Sequence, residues 1–158
     1  MSAPIVVGLI SDTHGQVRAS VHEALAGVSL ILHAGDVCGD EVLDELALVA
    51  PVVAVAGNCD VPGDPRLVQR IERTIGGVSI HVSHGHELGV PTPARLIAAY
   101  EAEVIVFGHT HRPLIHRAGE RLVVNPGAAG PRRFDIVPSV ARLTIVDGSA
   151  EVTLVPLA

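Results

Sequence analysis

A chain of 158 residues can bury one substantial core, and with 48% apolar residues but only Phe107, Phe134 and Tyr100 as aromatics that core must be aliphatic. The net charge of −6, the absence of Lys and the lack of any extended Arg run exclude a surface that tracks a nucleic-acid backbone; the scarcity of aromatics excludes base-stacking platforms. No apolar stretch has the length of a membrane span, Met-Ser-Ala-Pro opens without the basic segment of a signal peptide, and Cys38 and Cys59 alone make no disulfide framework, so the expectation is one reduced, cytoplasmic domain over residues 1–158.

The first apolar run, residues 5–10, reads as a strand. Val17, Val21, Ala24, Leu25 and Val28 then form one helical face, and residues 30–32 a second strand. Asp40 reads as the N-cap of a helix whose apolar stripe is Val42, Leu43, Leu46 and Ala47. Residues 52–55 form a third strand, and Val78, Ile80 and Val82 alternate with polar neighbours as in a half-buried one. Thr92 and Pro93 read as N-cap and first residue of a helix reaching about Glu101. Residues 104–107 and 122–124 are further strands, and 139–146 and 151–155 resemble a hairpin joined by Asp147-Gly148-Ser149. The early βαβ alternation implies parallel strands and the late runs add antiparallel pairing: an α/β fold of two packed sheets with outer helices.

The turns that end the strands carry the chemistry. The five are Ser11-Asp12-Thr13-His14, His33-Ala34-Gly35-Asp36, Ala56-Gly57-Asn58-Cys59-Asp60, Ser83-His84-Gly85-His86 and Gly108-His109-Thr110-His111. Ligands of α/β sheets bind beyond the carboxyl ends of the strands, so these turns can converge. Each motif alone is weak, since Asp-x-His recurs by chance and Gly-Asp and Gly-Asn are common turns. All five in order are not attributable to chance. Oxygen and nitrogen donors without thiolate clusters suit Mn, Fe, Zn, Co or Ni better than a structural zinc, with manganese taken as the first choice and Mg kept as a possibility; two such ions about 3.5–4 Å apart form the clamp used in phosphoryl displacement.

Asp12-x-His14, Gly35-Asp36, Gly57-Asn58, His84 and Gly108-His109-Thr110-His111 together resemble the ordered signature of the calcineurin-like metallophosphoesterases. Gly57-Asn58-Cys59-Asp60, His84-Gly85-His86 and Asn125-Pro126-Gly127 are similar to the small prokaryotic phosphodiesterase branch, which itself resembles the retromer scaffold subunit. The resemblance implies a four-layer α/β/β/α sandwich of two mixed sheets flanked by helices. It implies two divalent ions, one on Asp12, His14 and His111, the other on Asn58, His84 and His109, with Asp36 bridging. It further implies a lowered pKa for a bound water, a hydroxide bridging the ions, and in-line attack on a small phosphate ester, with Asp36 and His84 among the catalytic residues. A homodimer or tetramer would fit this branch. The alternatives are a non-catalytic scaffold on the same fold and a phosphomonoesterase.

The neighbouring residues divide less cleanly. Many phosphatases of the wider family carry His directly after the ligand Asn, where this chain has Cys59, a poor proton donor near neutrality. Substrates with good leaving groups, such as aryl phosphodiesters, should therefore be cleaved best. Asp60 could assist proton transfer or cap a turn. His86 could touch substrate, Asn125 could bind substrate, brace a ligand loop or form a turn, and Arg132 or Arg133 could clamp phosphate. His33 reads as a packed histidine and Cys38 as a small buried hydrophobe. His22, His81 and His116 carry no separable signal.

Overall fold

The computed structural model describes residues 3–158 as two mixed β-sheets packed face to face, with helices outside them. The first sheet runs in the order β11 (Ser149–Pro156), β10 (Ser139–Val146), β1 (Ile5–Ile10), β2 (Leu30–His33), β3 (Val52–Val55) and β4 (Leu67–Val68). The second runs β5 (Ile71–Ile75), β6 (Val78–Val82), β7 (Val104–Val106), β9 (Arg121–Asn125) and β8 (Leu114–Ala118). The inner strands β1–β2–β3 and β6–β7–β9 pair in parallel, whereas β10, β11, β5 and β8 add antiparallel neighbours.

Strand alternation sorts the apolar residues into layers. Val7 and Leu9 of β1, Leu32 of β2 and Val55 of β3 meet Ile80, Val82, Val104, Val106 and Val124 between the sheets. The opposite face of the first sheet, with Ile10, Ile31 and Ala54, is covered by Val21 of α1 (Ala19–Ala24) and by Val42, Leu43 and Leu46 of α2 (Asp40–Ala47). Ile105 and Val123 on the outer face of the second sheet pack under Leu96 of α3 (Pro93–Ala99). Strands buried on both faces read as continuous apolar runs, which is why these were visible in the sequence. The result is the four-layer α/β/β/α sandwich, and no helix of the described residues is long and apolar enough to cross a membrane.

Several boundaries differ from expectation. Gly39, at φ 149°, is the N-cap of α2, so Asp40 is its first residue and acts with Glu41 on the helix dipole. Helix α1 covers only part of the stripe from Val17 to Val28; Val17, Leu25 and Val28 pack from flanking turns. Thr92 does cap α3, accepting from Arg95 N–H at 3.2 Å, but the helix stops at Ala99. The last hairpin turns on Asp147 and Gly148 alone, with φ of 49° and 77°, the double positive φ of a type I′ turn. Strands β4, β5 and β8 had no clear signal. They lie at sheet edges, and Ile-Glu-Arg-Thr-Ile and Leu-Ile-His-Arg-Ala carry the charges by which exposed edges resist further pairing.

Candidate metal centre

The carboxyl ends of β1, β2, β3, β6 and β7 deliver the five motif-bearing turns to one end of the sandwich. The backbone there is unusual. Asp12, His14, Asp36, His109 and His111 all have positive φ, at 52°, 46°, 56°, 70° and 64°. Such conformations cost a non-glycine residue about 1–3 kcal/mol each and persist only where the surroundings impose them. Here β-ladder-like bonds between turns do so: Asp12 N–H donates to Gly35 O at 2.9 Å, His14 N–H to Asp36 O at 3.0 Å and Gly108 N–H to His84 O at 3.0 Å.

Each central carboxylate has one oxygen tethered and one directed inward. Asp12 Oδ2 accepts from Ser11 Oγ at 2.6 Å and His109 N–H at 3.1 Å; Asp36 Oδ1 accepts from Cys59 N–H at 2.8 Å. Asp12 Oδ1 then lies 3.3 Å from His111 Nε2, 3.8 Å from His14 Nε2 and 3.9 Å from His84 Nε2. Asp36 Oδ2 lies 3.3 Å from His84 Nε2 and 3.6 Å from His14 Nε2. Asn58 Oδ1 and His109 Nδ1 approach to 3.1 Å, and the Nε2 atoms of His14 and His111 to 3.3 Å.

His84 decides what the cluster is fit for. Its Nδ1 donates to Ala34 O at 2.8 Å, which fixes the ring with Nε2, the nitrogen that would ligate a cation, facing two carboxylates. Asp12 Oδ1 and His84 Nε2 are both buried and have no hydrogen-bond partner. An orphaned buried polar atom costs about 1–3 kcal/mol, and the two carboxylates carry like charge; a cation bound between them removes both penalties. Asp12, His14 and His111, and likewise Asp12, Asp36 and His84, offer ligand atoms within 4.8 Å of one another.

The electrostatics keep the carboxylates charged. Burial alone would raise Asp12, but the imidazoles of His111 and His14, the charge of His84 and the Ser11 hydroxyl hold it far below the usual carboxylate range. Asp36 is also lowered: burial is outweighed by His84 and the Cys59 amide. His84 is raised, its burial overridden by Asp36 and Asp12, while His109 is lowered by burial and by His84. Two glycines make the convergence possible. A Cβ on Gly57 would collide with Asp36 Oδ1 and N, and one on Gly108 with Ser11 Oγ and Asp12 Oδ2.

Residues 5–148 match the calcineurin-like phosphoesterase superfamily domain. The chain belongs to that superfamily. A probable metallophosphoesterase of Methanocaldococcus jannaschii is 34% identical over 166 residues, covering 99% of this chain and 84% of that protein. The phosphodiesterase YfcE of Escherichia coli is 30% identical over 144 residues, covering 75% of this chain and 76% of its own. Among solved structures, wild-type Vps29 of Entamoeba histolytica complexed with zinc superposes with a TM-score of 0.74 at 25% identity, covering 96% of this chain and 99% of that one.

Around this calcineurin-like centre the remaining candidates separate into rim and scaffold. Asp60, read as a candidate for proton transfer, spends its carboxylate on the backbone: Oδ1 accepts from Cys38 N–H at 2.9 Å, Oδ2 from Gly57 N–H at 2.8 Å and Val37 N–H at 3.3 Å. It ties the turn after β2 to the turn after β3. Asn125 is fully buried, which fits the bracing alternative and not the substrate-binding one: its amide donates to Gly108 O at 3.1 Å and Thr110 Oγ1 at 3.0 Å and accepts from Gly127 N–H at 2.9 Å. That brace sets the histidine turn after β7. His33 is packed: Nδ1 accepts from Gly35 N–H at 3.1 Å, and Nε2 meets Thr13 Oγ1 at 3.0 Å.

Cys38 is not a buried hydrophobe. It is exposed at φ 63°, its Sγ 3.8 Å from His14 Nδ1, because the left-handed turn after Asp36 swings it outward. Cys59 is exposed too, and partial desolvation together with the Asp36 charge pushes its thiol up. His86 stands on the rim with its ring 5.3 Å from His84. Arg132 and Arg133 are exposed on a loop that packs beside His111. Sequence reasoning missed Ser11 and Thr13, whose hydroxyls fix the turns after β1 and β2; no local signal separates them from ordinary turn residues.

Proposed function

We propose that this chain is a metal-dependent hydrolase of small phosphodiesters, with residues 1–158 acting as one domain. Asp12, His14 and His111 would hold one divalent ion, Asn58, His84 and His109 a second, and Asp36 would contribute to both, manganese being the first choice. When bound, such ions supply positive charge to phosphoryl oxygens and make hydroxide available from water near neutral pH for in-line displacement. The observation that carries this reading is His84 Nε2, buried, without a hydrogen-bond partner and facing Asp36 Oδ2 at 3.3 Å and Asp12 Oδ1 at 3.9 Å.

The chain's own residues prepare that seat. Ser11, His109 N–H and Cys59 N–H hold the two carboxylates so that their free oxygens point inward. Asp60 and Asn125 hold the turns that carry Asn58 and His109. Arg132 and His86 stand where the substrate's phosphate would enter. Cys59 stands directly after Asn58, and a thiol, a weak acid near neutrality, gives little help to a departing alkoxide. Aryl diesters, whose leaving groups need no proton, fit this site better than alkyl monoesters. A non-catalytic scaffold would have no use for five strained residues around three buried polar atoms without partners, Asp12 Oδ1, His84 Nε2 and His111 Nδ1.

The test is an assay of chelator-stripped protein reconstituted with Mn²⁺ on bis(4-nitrophenyl) phosphate and 4-nitrophenyl phosphate. The expected result is metal-dependent turnover with the higher kcat/KM on the diester. No metal-dependent turnover would remove the hydrolase reading, and a preference for the monoester would remove the diester assignment.

A further inference from the structure

Beside the centre, at the outer face of the second sheet, lies a cavity of about 340 Å³ lined by Gln69, Arg70, Ser83, His86, Glu87 and Tyr100. His86 joins the two, its ring 5.3 Å from that of His84 and 6.3 Å from that of His109. The floor is a fixed polar network. His81 is fully buried, with Nδ1 2.6 Å from Glu72 Oε1 and Nε2 2.8 Å from Ser83 Oγ. A carboxylate only accepts, so Nδ1 carries the hydrogen towards Glu72, while Ser83 bonds Nε2 and also faces the Glu87 carboxylate and the Tyr100 hydroxyl. Tyr100 stacks on His81 with centroids 3.7 Å apart and donates to Glu87 Oε2 at 2.8 Å; Gly85 N–H holds Glu87 Oε1 at 2.9 Å.

The rim differs from the floor. The side chains of Gln69 and Arg70 are exposed and make no hydrogen bond or ion pair within the described residues. Arg70 can only donate, Gln69 can donate and accept, and Glu87, a carboxylate, can accept. A purely alkyl or aryl group would leave that mixture unmatched, whereas a nucleoside offers donors and acceptors on its base edge and sugar hydroxyls.

We propose that this cavity receives the nucleoside half of a nucleotide diester whose phosphorus sits at the metal centre. The proposal rests on the phosphodiesterase reading above. Gln69 and Arg70 are then specificity-determining residues, about 30 residues or more from most of the predicted metal ligands in sequence and brought beside them by the β5–β6 hairpin.

The test compares thymidine 5′-(4-nitrophenyl phosphate), glycerol 4-nitrophenyl phosphate and methyl 4-nitrophenyl phosphate on Mn²⁺-loaded protein. The expected kcat/KM for the thymidine ester is about tenfold above the methyl ester, and Arg70→Ala and Gln69→Ala each lower that ratio by about threefold to tenfold through KM. Arg73→Ala, outside the cavity, leaves the ratio as it is in the parent. A parent ratio near one, or a ratio that neither cavity variant moves, overturns the proposal. A glycerol ester as good as the thymidine ester overturns the nucleoside assignment. Calorimetric binding of thymidine 5′-monophosphate separates this proposal from the function it rests on. Binding weakened by Arg70→Ala without turnover of any ester upholds the cavity and sinks the hydrolase; turnover without such binding does the reverse.

Discussion

The middle of the sandwich and the end of its strands obey opposite rules. Between the sheets, Val7, Leu9, Leu32, Val82 and Val106 interlock in regular β-geometry with no polar side chain among them. A few residues further along the same strands the backbone turns left-handed, and Asp12, Asp36 and His84 are buried, with polar atoms of Asp12 and His84 unpartnered. The interior is over-determined by packing, and that surplus holds the strained, mutually repelling groups of the other end in place. The core should therefore govern stability and hardly affect chemistry, while the strand ends should do the converse.

Asp36→Ala should show the largest effect and the cleanest separation. Activity should fall by about 10³-fold or more, because the residue contributes to both proposed ions. The metal-free variant should melt within a few degrees of the parent, since the lost contacts to the Cys59 amide and His84 are offset by relief of the facing Asp12 carboxylate. A large loss of melting temperature alongside the loss of activity would break the contrast. In the interior, Leu9→Ala should cost about 2–5 kcal/mol in denaturant unfolding while kcat/KM per folded molecule stays within about twofold. A loss of chemistry matching Asp36→Ala would show that the two regions are not separable.

A pH titration sharpens the boundary between them. His33 lies at the end of β2, fully buried, and its pKa is lowered to about 4, chiefly by burial and against the pull of the Asp12 carboxylate. The unfolded chain takes up this proton near pH 6.5 and the folded chain only near 4, so stability is complete above about 6.5 and declines as the pH falls towards 4. The decline attributable to this group is about 3 kcal/mol. His33→Asn keeps an acceptor for Gly35 N–H and should lose that part of the pH dependence; identical slopes for parent and variant would show that His33 does not supply it. The smallest effect belongs to Thr92→Ala, which should cost about 1 kcal/mol through the lost α3 cap and leave the centre untouched.

The same division governs how far the sequence could be read. Strands β1, β2, β3 and β7 were legible because burial on both faces demands apolar runs, β6 because Val78, Ile80 and Val82 alternate with polar neighbours, and the chemistry was legible because it begins where those strands stop. Edge strands β5 and β8 were not, since half of their residues face water and carry charge. The positions of Asp12, His14, Asp36, Asn58, His84, His109 and His111 relative to one another follow from parallel strands ending together. The parts played by Asp60 and Asn125 do not: their partners are backbone groups of other turns, 22 to 23 residues away for the Asp60 bonds to the turn after β2 and 17 for the Asn125 bond to Gly108. Cys38 was misplaced because nothing local announces a positive φ at a cysteine.

The central claim is that the inward oxygens and nitrogens form a seat for two cations, and counting ions tests it most directly. Chelated protein should be reloaded with Mn²⁺, passed through a desalting column and analysed for metal per chain, with the thermal midpoint recorded on the same sample. The account predicts two ions per chain, a midpoint raised by their binding, and loss of at least one ion in Asp36→Ala. One ion or none in the parent at saturation, or two ions that leave the midpoint unmoved, would contradict it.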